Sequence, residues 1–476
     1  MNKSPLTDTI VAPATTPGTG AISIVRLSGP DCFRIADAVV QLKSGTISEA
    51  KAYTIHYGEV YRDGSLLDEV LVSVFRNPHS YTGEDAVEIS THASSYIVSE
   101  LIRLLLEAGA RFAQPGEFTR RAFLNGKMDL AQAEAVADVI SSTTSASHRV
   151  AMNQMKGVFS VQLQALREEL LQMASLIELE LDFSEEDVEF ANRDELLSLV
   201  EATRSQVEKL AASFHQGNLI KNGVPVAIVG ATNAGKSTLL NALLGDDRAL
   251  VSDIPGTTRD TIEELLNLDG VLFRFIDTAG IRESSDTVEK MGIERTLRML
   301  SQAEVVLGVL DVSENEHLFQ EHLQQIIEKV DAASQKVIFV LNKTDLAPEG
   351  VVNKNVSIFN KFVISADNKC DIIIISAKSQ KGIEELKTAL RLSQNDLVSH
   401  ADAAFVTNTR HFEALQQAAV ALKNVATSLS RNIPTDLVAE DLRAALSSIN
   451  AILGKDLGLD PDIVLNRIFQ SHCIGK

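Results

Sequence analysis

The chain has 476 residues, 45% of them apolar, which suits roughly two to four domains of ~150 residues with ordinary cores. Its formal net charge of −20 argues against indiscriminate nucleic-acid binding, because phosphate contacts need clustered Lys and Arg. Three cysteines (Cys32, Cys370, Cys473) are too few for a disulfide scaffold and suit a reducing cytosol, and no membrane span or signal core is expected where no apolar run reaches ~18 residues and the start reads MNKSPLTDTI.

From the N-terminus, AISIVRLSG and EVLVSVF predict strands, and SYIVSELIRLLLEAGA predicts an amphipathic helix ending near Gly109. The first ~120 residues are therefore expected to be α+β. YTGEDAVEI and PGEFTRRAFLNGKMDLAQAEAVADVI concentrate charge and Gly and read as loop positions, where sites often lie. Arg120, Arg121 and Lys127 are close together and read as a solvated face rather than a binding patch. From about Met128 to Gly217 the pattern is helical; KGVFSVQLQALREELLQMASLIELELDF repeats apolar residues at i, i+3 and i+4.

The middle of the chain carries the strongest signal. VPVAIVG is a buried-strand run, followed by GATNAGKST, which matches G-x-x-x-x-G-K-[ST] at Gly230, Gly235, Lys236 and Ser237, and then by the helix STLLNALLG. The glycines let backbone N–H groups from Asn233 to Thr238 curl round phosphates at a helix N-terminus, with Ala234 between them. Lys236 can reach the β- and γ-phosphates, and the Ser237 hydroxyl can take Mg²⁺. LFRFIDTAG is a strand ending in Asp277, Thr278, Ala279 and Gly280, where an Asp can hold the metal through water and a Gly N–H can meet the γ-phosphate. KVIFVLNKTD ends in Asn342, Lys343, Thr344 and Asp345; a carboxylate there accepts both N1–H and 2-amino protons of guanine, a pair that adenine lacks. IIIISAKS adds Ser376, Ala377 and Lys378 beside the base. Between the first two motifs, GTTRD offers Thr257 and Thr258 to a loop that closes on Mg²⁺. These elements predict a translation-factor-class GTPase domain with a mostly parallel sheet, from about Lys221 to about Arg391.

Ile281 stands where Ras-like switches place the Gln that orients the attacking water, and an aliphatic side chain cannot do that. Glu283, Asp286 and Glu289 are the candidates left, with Arg259 and Arg282 in the two switch stretches. A monovalent cation could replace an arginine finger if Asn233 supplied an oxygen ligand.

After the GTPase stretch, RHFEALQQAAVALKNVATSL and TDLVAEDLRAALSSINAILG are helical again. Each helical flank has an apolar stripe to bury, so the two are expected to pack together with the GTPase domain inserted between them. The chain closes on SHCIGK; Gly475 and Lys476 do not fit a prenylation box, which leaves chemistry as the reading of Cys473.

Together, DTIVAPATTPGTGAISIVRLSG, YTGEDAVEI, GEFTRRAFLNGKMDLAQAEAVADVI, the GTPase set, TNTRH and the terminal CIGK resemble, from end to end, the bacterial tRNA-modification GTPases of the MnmE (TrmE) family. The resemblance implies a multidomain fold. It has an N-terminal α+β domain (1–125) that binds tetrahydrofolate and dimerises, a helical domain in two parts (126–220 and 392–476), and an inserted Ras-like α/β GTPase domain (221–391). It implies a cytoplasmic homodimer joined through the N-terminal domains, a heterotetramer with the FAD-dependent protein MnmG, and tRNA as substrate. The reaction implied is addition of a carboxymethylaminomethyl or aminomethyl group to C5 of the wobble uridine, the donor being 5,10-methylene- or 5-formyl-tetrahydrofolate. GTP, Mg²⁺ and K⁺ are the other cofactors. By the same resemblance Ser237 and Thr258 take Mg²⁺, while Asn233, Ser252, Ile254 and Thr257 take K⁺. Glu289 orients the water, Cys473 is catalytic, and Arg26, Glu88, Lys127 and Lys476 contact folate.

The chain departs from the family pattern at Thr19 (TPGTG), at Ala93 and Ser94 after His92, at Thr232 in the phosphate loop and at His472. Two other classes fit the GTPase motifs alone, and a third reading is a one-carbon transfer enzyme with the GTPase as a regulator only. A regulatory switch is disfavoured by the folate positions and Cys473, and a ribosome-assembly GTPase by the acidic charge.

Overall fold

The computed structural model describes residues 8–182, 193–245, 263–276, 299–331, 334–365, 370–394, 404–431 and 433–455, with Phe469 and Gly475. The chain divides into two compact units, one of Met1–Ile140, Gln154–Arg204 and Gln417–Lys476, the other of Ser141–Asn153 and Ser205–Gln416. Among the described residues no helix is long and apolar enough to cross a membrane.

Seven strands build the sheet of the first unit: β1 (Ile10–Pro13), β2 (Gly20–Ser28), β3 (Val40–Leu42), β4 (Thr54–Arg62), β5 (Ser65–Phe75), β6 (Ala86–Ala93) and β7 (Arg111–Phe112). Their spatial order is β3-β4-β5-β6-β2-β1-β7, antiparallel throughout except for the β1–β7 pair. Alternation decides which face is buried: Val70, Val72 and Val74 of β5 point inward while Glu69 and Leu71 are exposed. Helices Cys32–Val39 and Ser95–Glu107 cover the inner face, packing Ile35, Ala36, Leu101 and Leu105 with Val25, Leu27, Val72, Val87 and Ile89.

Two stretches expected as loops are partly regular. YTGEDAVEI becomes β6 at Ala86, because Val87 and Ile89 are buried while Glu88 and Ser90 face partly outward. The run after Gly116 holds helix Glu117–Leu124, its charges serving as helix residues, whereas helix Leu130–Ser141 follows the helical pattern expected from Met128 onward. Arg121 is also no part of a solvated face. It is 1% exposed, with Nη2 on Asp8 Oδ1 at 2.8 Å and Glu117 Oε1 at 3.1 Å and Nη1 on the Asp8 carbonyl at 2.9 Å. Glu84 adds a contact at 3.3 Å, so several carboxylates offset the desolvation of this cation.

The helical part of the same unit pairs segments far apart in sequence. Helix Val158–Asp182 buries Leu163, Leu166, Leu170, Met173 and Ile177, and helix Thr435–Leu453 buries Val438, Leu442, Ala445, Ile449 and Ile452, both at helical spacing. The two pack together, and Arg167 Nε donates to Asn450 Oδ1 at 2.8 Å.

The second unit holds a six-stranded sheet of β8 (Val224–Gly230), β9 (Glu264–Leu268), β10 (Val271–Phe275), β11 (Val305–Asp311), β12 (Lys336–Asn342) and β13 (Asp371–Ile374). Its order is β13-β12-β11-β8-β10-β9, parallel except for the β9–β10 hairpin. Helices cover both faces. Leu239 and Leu243 of Lys236–Leu244 and Leu386 and Leu390 of Ile383–Ser393 line one side. Phe319 and Leu323 of Glu316–Ile327 and Phe359 of Glu349–Ser365 line the other. Burial on both faces is why these strands read as unbroken apolar runs. The α+β, all-helical and doubly wound α/β parts are those the sequence predicts. The parallel strands β8, β11, β12 and β13 release their carboxyl-end loops on one edge, where such sheets bind ligands.

Candidate functional site

The loop after β8 is shaped by backbone constraints. Asn233 takes φ +65°, and Gly235, at φ +94°, precedes helix Lys236–Leu244. A Cβ at Gly235 would stand 2.3 Å from Asn342 Nδ2, so the position requires glycine on two counts. Ser237 and Thr238 open the helix with exposed side chains, and the first N–H groups of that helix lack intrahelical partners. Lys236 folds back over the loop, its Nζ donating to the carbonyls of Gly230 and Ala231, both at 2.9 Å. Burial pushes its ammonium pKa down.

Asn342, at the end of β12, ties two loops together. Its Nδ2 donates to the Ala234 carbonyl at 3.0 Å, and its Oδ1 accepts from the Ala377 N–H at 2.9 Å. Asn342, Ala234 and Ala377 are all buried. Lys343, at φ +69°, turns its Nζ to Asp311 Oδ2 at 2.6 Å. Asp345 Oδ1 accepts from Ser376 Oγ at 2.6 Å. That hydrogen bond above all, with the charges of Lys378 and Lys343, holds the Asp345 carboxyl below the usual range despite some desolvation. Thr344 closes the arrangement, donating to the Ile375 carbonyl through Oγ1 at 3.1 Å. The structure thus gathers Asn233 to Thr238, Asn342, Lys343, Asp345, Ser376, Ala377 and Lys378 onto the loops at one sheet edge. Ser252, Ile254, Thr257, Thr258, Asp277, Thr278, Ala279, Gly280, Glu289, Cys473 and Lys476 lie outside the described residues.

A second cluster lies on the sheet of the first unit. Arg26 of β2 stands opposite Glu88 of β6, Nε to Oε1 at 2.8 Å. Its guanidinium lies over the rings of Tyr81 (5.6 Å) and Phe118 (5.7 Å), and its Nη1 donates to the Gly475 carbonyl at 3.2 Å. Gly475 has φ +97°, and a Cβ there would meet the Pro13 carbonyl at 2.1 Å, so only glycine fits against β1. Lys127 donates to the Pro78 carbonyl at 3.0 Å rather than to the Arg26–Glu88 pair. The stem of Lys127 passes Gly83 in the loop that also carries Tyr81. Tyr81 and Phe118 escaped sequence reasoning although both lie in quoted motifs, because no spacing marks a ring stacked on an arginine. Asp311 was missed because VVLGVLD ends in no nucleotide motif.

The profile of the MnmE helical domain matches residues 130–473, and that of the GTP-binding protein TrmE N-terminus matches residues 9–127. A Bacteroides thetaiotaomicron protein named tRNA modification GTPase MnmE is 48% identical over 478 residues, covering 98% of this chain and 99% of that protein. Its namesake from Cytophaga hutchinsonii is 47% identical over 471 residues, covering 99% and 98%. Among solved structures, an Era protein of Aquifex aeolicus bound to GDP and aluminium fluoride is 26% identical over 41% of this chain and 66% of that one, with a TM-score of 0.28. Identity of 47–48% over nearly the whole of these relatives, with both family profiles matched along this chain, has one reading: the chain belongs to the MnmE family.

Proposed function

We propose that this protein hydrolyses GTP in the service of tRNA wobble-uridine modification, together with a tetrahydrofolate one-carbon donor and an FAD-dependent MnmG partner. The observation that carries the nucleotide reading is the Asn342 amide, which fixes the Ala234 carbonyl of the phosphate loop to the Ala377 N–H of the base loop. Phosphate and base subsites are thereby held at one spacing before any ligand arrives, which cuts the ordering cost of binding.

In this reading the triphosphate takes the backbone N–H groups of Asn233 to Thr238 and draws Lys236 off the Gly230 and Ala231 carbonyls. Asp345, ionised at neutral pH, accepts from guanine N1–H and the 2-amino group, while Ser376, Ala377 and Lys378 border the base. Asp277, Thr278, Ala279 and Gly280 face the γ-phosphate, and Glu289 orients the water. The exposed Ser237 hydroxyl at the helix start suits Mg²⁺, with Thr258 as its second ligand. Asn233, exposed on a left-handed backbone, suits K⁺ together with Ser252, Ile254 and Thr257. Bound cations there supply charge neutralisation for phosphoryl transfer.

In the N-terminal domain, which we take to be the dimer interface, Arg26 and Glu88 present a paired donor and acceptor, with the Arg26 guanidinium over two aromatic rings. That combination suits a flat, polar-edged pterin, with Lys127 and Lys476 as further folate contacts and Cys473 as the catalytic thiol. The folate supplies the one-carbon unit, and the protein acts in the cytoplasm. The test is mass spectrometry of wobble nucleosides from cells lacking the gene, complemented with the wild-type or a Cys473→Ser copy. We expect loss of the modified uridine in both the knockout and the Cys473→Ser strain. Normal wobble bases in the knockout would end the proposal.

A further inference from the structure

Lys343 is within electrostatic reach of two carboxylates. Asp345 follows it by two residues and belongs to the proposed guanine subsite; Asp311, at the end of β11, holds its ammonium at 2.6 Å. Asp311 is 8% exposed and is itself fixed, accepting from Ser313 N at 2.9 Å and from Ser313 Oγ at 2.5 Å. The loop that follows is fixed as well. Buried Asn355 donates through Nδ2 to the Val312 and Glu314 carbonyls at 3.0 and 3.1 Å, and His322 meets Glu314 at 2.9 Å. So many restraints on one short loop leave Asp311 no freedom to follow a moving partner; Lys343 must come to it.

We infer that Asp311 is a positioning residue for guanine selection: it keeps the Lys343 ammonium off Asp345, leaving that carboxylate's remaining lone pairs open to the two N–H donors of the base. The inference rests on the guanine-site reading above. An ionised carboxylate has about four acceptor positions, and Ser376 and Asp345's own backbone N–H already use two of them, leaving two for the base. A half-buried ammonium without Asp311 has a second carboxylate two residues along the chain, and pairing there removes acceptor capacity from the base. Asp311→Asn removes the charge and keeps an oxygen for Ser313.

The test is calorimetry of the full-length protein with GDP and with IDP, which lacks the 2-amino donor. Asp311→Asn is expected to weaken GDP about tenfold, the scale of one charge-assisted hydrogen bond, and IDP about threefold or less. In a Lys343→Met background the same substitution is expected to change GDP affinity by less than about threefold, because no ammonium remains to be misplaced. Equal losses for GDP and IDP, an unchanged GDP affinity, or an undiminished loss in the Lys343→Met background overturns the inference. A wild-type protein that binds no GDP overturns the guanine-site reading instead.

Discussion

Replacing Asn342 with alanine tests how far one buried amide organises the nucleotide site. The side chain makes two hydrogen bonds, to the Ala234 carbonyl at 3.0 Å and from the Ala377 N–H at 2.9 Å, in surroundings that exclude water. Truncation leaves one buried acceptor and one buried donor without that partner, at about 1–3 kcal/mol each. Water entering the void reduces this, so a total of about 2–4 kcal/mol is expected. If the two loops then part and must be realigned on binding, ~2 kcal/mol of that loss appears in affinity, about a 30-fold weakening of GDP. Fluorescence titration with a labelled GDP measures the affinity, and urea unfolding of the nucleotide-free protein measures the rest. A variant within threefold of wild type in affinity, with an unchanged unfolding midpoint, would refute the reasoning.

Exchanging K⁺ for Na⁺ is expected to lower GTP turnover on the scale of a lost arginine finger, on the order of 10³-fold or more; equal rates in the two salts remove the cation from the mechanism. Arg121→Met removes a buried cation from Asp8, Glu84 and Glu117; Arg111 still holds Asp8 and Glu117, so a loss of about 1.5–3 kcal/mol is expected, read as a shift in the urea midpoint. The acid limb of stability should report Glu117. Burial raises its carboxyl, but the paired Arg111 hydrogen bonds, the Gln114 N–H and Arg121 outweigh this and hold it below its ordinary 4.5. A lowered folded value means that its contribution is present above about pH 4.5 and is lost as pH falls through that lower value. Glu117→Gln should therefore flatten the fall in urea midpoint below pH ~4.5, and an unaltered pH profile contradicts the assignment.

The doubly wound sheet was legible because each of its central strands is buried on both faces, so VPVAIVG and KVIFVLN stand out as runs ending in motif residues. β11 is buried along all of its length and was passed over, because a strand without a motif at its end gives no reason to be singled out. The N-terminal sheet was harder. β6 alternates buried apolar with polar residues, and Glu84, Asp85 and Glu88 of YTGEDAVEI drew attention to charge rather than to strand period. Arg121 was unreadable for another reason: local sequence gives its neighbours along the chain, whereas Asp8 and Glu84 reach it only through the fold. The candidate nucleotide residues could be named from the sequence because each motif is a spacing within a single loop. The Asn342 bridge between loops could not, since it joins positions 108 and 35 residues away.

The pairing of helix Val158–Asp182 with Thr435–Leu453 bears on how the protein is made. Arg167 and Asn450 are 283 residues apart. At a synthesis rate of about 5–20 residues per second, the second helix leaves the ribosome roughly 15 to 60 seconds after the first. Through that interval the earlier helix presents Leu163, Leu170 and Ile177 without their eventual cover from Thr435–Leu453. Birth of this molecule is thus a wait for its own last quarter, during which that seam stands open.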